Sequence, residues 1–272
     1  MDEITAEYSV ADVVSSVELR VIPKVTVACK TDLGRVRENN EDKFEYFIPE
    51  DHGTLANRGM VFVVCDGMGG HAAGQIASEL TCKTFLDVYF HHPATEIPAA
   101  LRGGVLAANR FVLDVARTVA TRAGMGTTLT GLALVQDRAY VVQVGDSRAY
   151  RLRDGVLTQL MEDHTWVEDA IRQGLSREAA EAHPYRHVLT RAVGTEDDVP
   201  VDVFEYDVAE GDVYLLCSDG LLNHVSDEVI ADHLRNFNPA EATWKLVGRA
   251  LMEGGSDNCT VMVVRLDSLS PV

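Results

Sequence analysis

The sequence predicts an α+β fold built as a four-layer α-β-β-α sandwich, two mainly antiparallel sheets flanked by helices. Three observations point there. Strand-like runs follow one another with short turns, so hairpins and meanders dominate over βαβ repeats. The longer helical patterns fall into two groups, one before and one after the central strands. Several strand runs are strongly apolar, which marks them as buried. With 272 residues and 46% hydrophobic side chains, the chain suits one large domain or two small ones and can fill a core without disulfides.

Residues 1–23 read as an acidic appendage, in which Val10, Val13, Val14 and Val17 can line a short docking helix. A core domain over 24–267 follows. KVTVACKTD is its first strand, and KFEYFI (43–48) and MVFVVC (60–65) are the next two, joined by a loop from Pro49 to Gly59. Helical spacing then places Ile76, Ala77, Leu80 and Thr84 on one face. A second helix carries Leu101, Val105, Ala108, Val112, Val115 and Val119, with Pro98 in its first turn. TTLTGLALVQ, RAYVVQVGDS and RAYRLRDG read as an antiparallel meander. From 164 to 194 the strand pattern breaks into short helical stretches, as an inserted subdomain would. VDVFEYDV and DVYLLCSDG resume the strands, and Ser226 caps a short helix. Asn238-Pro239 starts the last helix, with Ala240, Trp244, Val247 and Leu251 on one face and Gly254-Gly255 at its stop. CTVMVVRL closes the domain.

The net charge of -18 argues against a nucleic-acid backbone as partner. Residues 1–20 have no basic segment ahead of an apolar one, and no run is long enough to cross a bilayer. We therefore expect a soluble, cytoplasmic protein with no membrane partner. The five cysteines form no CxxC pair and read as small residues of a reducing compartment.

Aspartates recur at strand ends. Asp66 follows VFVVC, Asp146 follows YVVQVG, Asp219 follows VYLLCS, and Asp257 and Asp42 precede strands. Any one of these has a turn as its commoner reading. Repeated placement beside buried strands suggests convergence instead. Carboxylates gathered in one apolar mouth repel, and need protons or cations to remain there. An all-oxygen donor set suits Mg or Mn; zinc fits poorly, since HExxH and Cys pairs are absent. Such ions would also offset the acidic charge where a phosphate must sit. Gly67 can offer its carbonyl to an ion, and Gly69 and Gly70 let the chain turn over the site.

TDLGRVRENNED, VVCDGMGGHAAG, GMGTTLT, VGDSRAY, HPYRHVLTRAVG, LLCSDGL and GGSDNCT occur in that order. Together they resemble the metal-dependent PP2C-type (PPM) serine/threonine protein phosphatases, in their bacterial form, along nearly the whole chain past the appendage. The resemblance implies hydrolysis of phosphoserine and phosphothreonine in proteins by a metal-bridging hydroxide attacking phosphorus in line. It implies two Mn2+ or Mg2+ ions, with a third, weaker one. Asp66 would bridge the two, the Gly67 carbonyl would bind one, and Asp219 and Asp257 the other. Asp42 and Glu41 would act through water, and Asp146 would serve the third ion. Arg37 would grip the substrate phosphate, a role its forked guanidinium suits; alone it reads as a surface Arg paired with Glu38 or Glu41. Ser147, Ser218 and Thr128 are read as structural.

Animal and plant members of that family carry a histidine where this chain has Met68, as bacterial members do. His71 is then a proton-donor candidate by nearness, with a metal-bound water the preferred donor. His164 and His183 read as ordinary surface or turn histidines. The segment from about 165 to 189 resembles the family's flap, where Arg172, Arg177, Arg186 and His187 can offer positive charge to a substrate. Phosphorylated proteins are the expected partners, a serine/threonine kinase the expected counterpart, and the chain is expected to act as a monomer. A pseudophosphatase would lack Asp66, Asp219 or Asp257, and a nuclease would need a basic track. The regulatory branch acting on anti-anti-sigma-like proteins usually lacks the Arg37 and flap motifs.

Overall fold

The computed structural model describes residues 18–69 and 72–272. Among the described residues, eleven strands form two sheets in which every ladder is antiparallel. One sheet runs β1 (Val21–Asp32), β11 (Cys259–Pro271), β10 (Val213–Cys217), β7 (Arg148–Arg153) and β8 (Val156–Gln159). The other runs β2 (Asp42–Phe47), β3 (Met60–Met68), β5 (Leu129–Val135), β6 (Arg138–Val144) and β9 (Asp202–Asp207), with β4 (Gly126–Thr127) also paired to β3.

The apolar strands are buried on both faces. In β3, Val61, Val63 and Cys65 pack under α2 (Ala72–His91) and α3 (Ile97–Thr118), while Phe62 and Val64 face the other sheet. In β10, Leu215 and Cys217 join the layer of α6 (Asp219–Leu222), α7 (Asp227–Asn236) and α8 (Pro239–Met252), while Tyr214 and Leu216 fill the inter-sheet core. Four layers follow from these two-sided strands, as the sequence predicts.

Several local expectations change. The strand expected from Lys24 begins at Val21, and Leu19 packs on the inter-sheet core. The rest of the expected appendage helix lies outside the described residues. The loop expected between Pro49 and Gly59 contains α1 (His52–Arg58), capped by Asp51, whose side chain accepts the Thr54 N–H. α2 buries Ala77, Ser78, Thr81, Cys82, Phe85 and Tyr89; Ile76, Leu80 and Thr84 are only partly covered. Its small and polar buried face lets it approach the strands, and Ser78 Oγ donates to Glu41 O at 2.5 Å. α8 buries Ala242, Thr243, Leu246, Val247 and Ala250, a tighter i, i+3, i+4 stripe than the expected one. Trp244 stays 66% exposed, with Lys30 Nζ 4.1 Å from its ring centroid. Val119 falls just past the end of α3 and is exposed.

The expected meander is divided. β5 and β6 form a hairpin in one sheet, β7 and β8 a hairpin in the other, and the chain crosses between sheets at Gly145–Ser147. Residues 165–189 carry α4 (Trp166–Arg172) and α5 (Arg177–Glu181), and an isolated antiparallel bridge joins Thr165 to Leu189.

Candidate active site

Antiparallel pairing brings the aspartates together. Asp42 opens β2 and lies opposite Asp66 in β3. β6 runs in the same direction as β3, two ladders away, so Asp146 leaves it at the same edge. β10 ends before Asp219, and β11, antiparallel to it, begins after Asp257. Asp66, Asp146, Asp219, Asp257, Glu41 and Gly67 line one pocket of about 960 Å3, together with Arg37.

Contrary to expectation, Asp66 does not end its strand. β3 continues to Met68, and its neighbour changes from β5 to β4. Thr128 stands at that break. Its N–H donates to Asp66 O at 2.8 Å, and its Oγ1 accepts the Asp66 N–H at 2.9 Å, so a side chain replaces a ladder acceptor. Thr128 Oγ1 is also 2.7 Å from Ser147 Oγ. Thr128 and Ser147 thus fix the main chain on either side of the site. A Cβ at Gly67 would lie 2.1 Å from Gly74 O and 2.7 Å from Glu41 O, so close approach of α2 and the β2 entry requires glycine there. Gly69 has φ +136°, consistent with a turn at that point. Gly70 and His71, the proton-donor candidate, lie outside the described residues.

Asp42 is 1% exposed behind the pocket wall. Its Oδ2 accepts from Ser218 Oγ and Thr260 Oγ1, each at 2.7 Å, and its Oδ1 has no partner. Burial raises its carboxyl to about 6 against those two bonds. Burial and then Asp42, Asp219, Asp146 and Asp257 hold the Asp66 carboxyl well above the usual range. Asp146 is pushed to about 7 by burial and then by Asp219. Asp219 is raised by burial and by Asp257, and its Oδ1 is also unpartnered.

Among the described residues, no three His, Cys, Asp or Glu side chains are already drawn into a closed metal shell. The donors fit divalent cations nonetheless. They are hard oxygens, they repel one another, and two of them keep buried oxygens without a partner. Asp66, Asp219, Asp257 and the Gly67 carbonyl can hold such ions at the pocket wall.

Arg37 Nη2 donates to Asp257 Oδ2 at 2.5 Å, so the expected phosphate grip and an expected metal ligand meet directly. That bond, then the nearby acids, raises the Arg37 pKa. Asn258 braces the Arg37 loop: its Nδ2 donates to Leu33 O and Asn39 O, and its Oδ1 accepts the Glu41 N–H. Of the flap residues, His187 lines the pocket. Arg186 does not, and Arg172 is engaged by Asp169 and Glu162 outside it. His183 stacks on Trp166 in the flap, with ring centroids 4.1 Å apart.

Sequence reasoning missed Asn258, Arg191, Asn223 and His224, all of which line the pocket. Asp202 was missed too, although it opens a strand at the same sheet edge and pairs with Arg191 Nη1 at 3.1 Å. His164, read as a surface or turn residue, is 5% exposed.

The family model for protein phosphatase 2C matches residues 35–250. The chain is 37% identical over 245 residues to the serine/threonine protein phosphatase PstP of Mycobacterium tuberculosis, covering 90% of this chain but 45% of that longer protein. It is 36% identical to the serine/threonine phosphatase stp of Listeria monocytogenes, covering 88% of this chain and 94% of the relative. The crystal structure of the catalytic domain of PstP in complex with two manganese ions superposes with a TM-score of 0.76 at 36% identity, covering 90% of this chain and 99% of that one.

Proposed function

The chain belongs to the protein phosphatase 2C family, and from that premise we propose that it hydrolyses phosphoserine and phosphothreonine in proteins with divalent metal ions. The convergence of Asp66, Asp146, Asp219 and Asp257 with Arg37 on one pocket carries this reading. Asp66 would bridge two ions, Mn2+ or Mg2+, with the Gly67 carbonyl on one and Asp219 and Asp257 on the other. Asp42 and Glu41 would act through water, and Asp146 would serve a third ion. When bound, the ions supply an activated water and offset charge on the phosphate.

The protein's own groups do the rest. Arg37 holds two phosphate oxygens with its guanidinium fork, leaving Asp257 to a cation. Asp42 is locked by Ser218 and Thr260 with one oxygen turned free. Asn258 keeps the Arg37 loop against Asp257. The flap presents His187 to the protein part of the substrate. Phosphorylated proteins, written by a serine/threonine kinase, are the proposed substrates, and the proposed setting is the cytoplasm. Among the described residues, no helix is long and apolar enough to cross a membrane.

The test compares wild type with D66A and R37A on a phosphothreonine peptide in Mn2+. D66A should lose about 10^3-fold or more in kcat while keeping its melting temperature in EDTA. R37A should lose roughly 10- to 100-fold in kcat/KM, the worth of a charged hydrogen bond. Wild-type turnover by D66A would overturn the bridging role, and faster cleavage of a phosphodiester than of the peptide would overturn the substrate class.

A further inference from the structure

His164 stands where the flap leaves the sheets, and both its main chain and its ring are committed. Its N–H donates to Gly145 O at 2.9 Å, and its carbonyl accepts the Thr190 N–H at 2.9 Å. The next residues on either side, Thr165 and Leu189, form the bridge that closes the flap. Its ring Nδ1 accepts the Gly145 N–H at 3.1 Å. An accepting Nδ1 sets the tautomer, so the neutral ring carries its proton on Nε2. Nε2 lies 2.9 Å from Asp202 Oδ2 and donates to it. Arg191 Nη1 donates to the same oxygen at 3.1 Å. Burial lowers the His164 pKa, in keeping with a neutral ring.

The two ends of this ring therefore reach two parts of the pocket. One end holds the residue just before Asp146, at the crossing between sheets. The other holds the carboxylate that anchors Arg191, and both Asp146 and Arg191 line the pocket. Gly145 has little freedom of its own. Its φ is +106°, and a Cβ there would lie 2.6 Å from Thr128 Cγ2. The turn is wedged on the Thr128 side and clamped at both main-chain groups by His164.

We propose that His164 is a positioning residue that sets Asp146 through Gly145 and Arg191 through Asp202, and so ties the base of the flap to the site. The proposal rests on the phosphatase reading in that Asp146 serves the third divalent ion, and it adds that Arg191, which lines the same pocket, contacts the phosphopeptide. Its two halves separate by side-chain chemistry. In H164N the amide oxygen takes the place of Nδ1 and keeps the Gly145 bond, but the side chain is too short for Asp202. In H164Q the amide reaches Asp202 with an N–H and leaves Gly145 without its acceptor. H164A loses both.

Calorimetric Mn2+ titration, KM and kcat on a phosphothreonine peptide, and the melting temperature in EDTA are measured for the full chain of each variant. H164A should weaken the weakest Mn2+ site about tenfold and raise KM about tenfold, the usual scale for a supporting hydrogen bond at a metal site. H164N should recover the Mn2+ affinity and not KM; H164Q should recover KM and not the Mn2+ affinity. Values within twofold of wild type for H164A on both counts overturn the proposal. So does a loss in H164A that neither Asn nor Gln recovers, which would mark His164 as core packing. D146A and R191A separate this from the underlying reading. If D146A leaves every Mn2+ affinity unchanged, the role of Asp146 fails and the metal half of the proposal with it. The Arg191 half is then decided by KM of H164Q against H164A, with R191A expected to match H164A.

Discussion

Asp212 and Asp219 flank the same strand, β10, and live under opposite conditions. Asp212 is 1% exposed, and its carboxylate is saturated. Arg153 donates to both its oxygens at 2.7 Å, and Tyr214 Oη and the Ala209 N–H add to Oδ2. Asp219 accepts from Asn223 Nδ2 at 3.3 Å, keeps an unpartnered Oδ1, and has three further aspartates in the same pocket wall. A fold able to neutralise a buried acid at one end of a strand leaves acids uncompensated at the other. The deficit is local and matches what a divalent cation supplies.

Removing a partner from each end sharpens the contrast. D212A leaves Arg153 with Asp207 alone and should cost about 3 kcal/mol in urea unfolding, as breaking a buried ion pair does. Its gain in stability on adding Mn2+ should match wild type. Loss of that gain in D212A would mean the two ends are not independent.

The acid end should also show itself in pH. Asp42 and Asp146 rise from the ordinary 3.8 to about 6 and about 7 in the folded chain. Between those values the folded state keeps protons that the unfolded state has released, so stability in EDTA falls as pH rises from about 4 to about 7. Saturating Mn2+ at pH 7 should restore about 2.7 kcal/mol at a hundredfold excess over Kd. A metal-free stability that rises over this interval would contradict the raised carboxyls.

The smallest effect has the most telling sign. D219N should raise stability in EDTA by about 1 kcal/mol, an ordinary size for one substitution, because it removes a repelling charge. It should also abolish most of the Mn2+-dependent gain. Destabilisation of D219N in EDTA would put Asp219 in the same class as Asp212.

The sequence reading found the acids because antiparallel strands with apolar runs have one outcome at their ends. Asp42, Asp66, Asp146, Asp219 and Asp257 need only correct strand directions to meet. The division of the meander was hidden because the crossing at Gly145–Ser147 has the same residue types as a hairpin turn. Trp244 misled because its size suggests burial, while the stripe of Ala242, Leu246 and Ala250 beside it packs more closely. Asn258 and the His164–Asp202–Arg191 group could not be found from spacing. Their partners lie 217 residues away in one case and 38 in the other, and no local period encodes that.

The bridge between Thr165 and Leu189 has a consequence for how such a protein can diversify. A segment whose two ends touch can be lengthened, shortened or exchanged at small entropic cost, about 0.6 kcal/mol for each doubling of its length. Under the proposed function, a graft at these two residues would be expected to change which phosphoproteins are recognised and to leave the strand edge that carries Asp66, Asp146, Asp219 and Asp257 as it was.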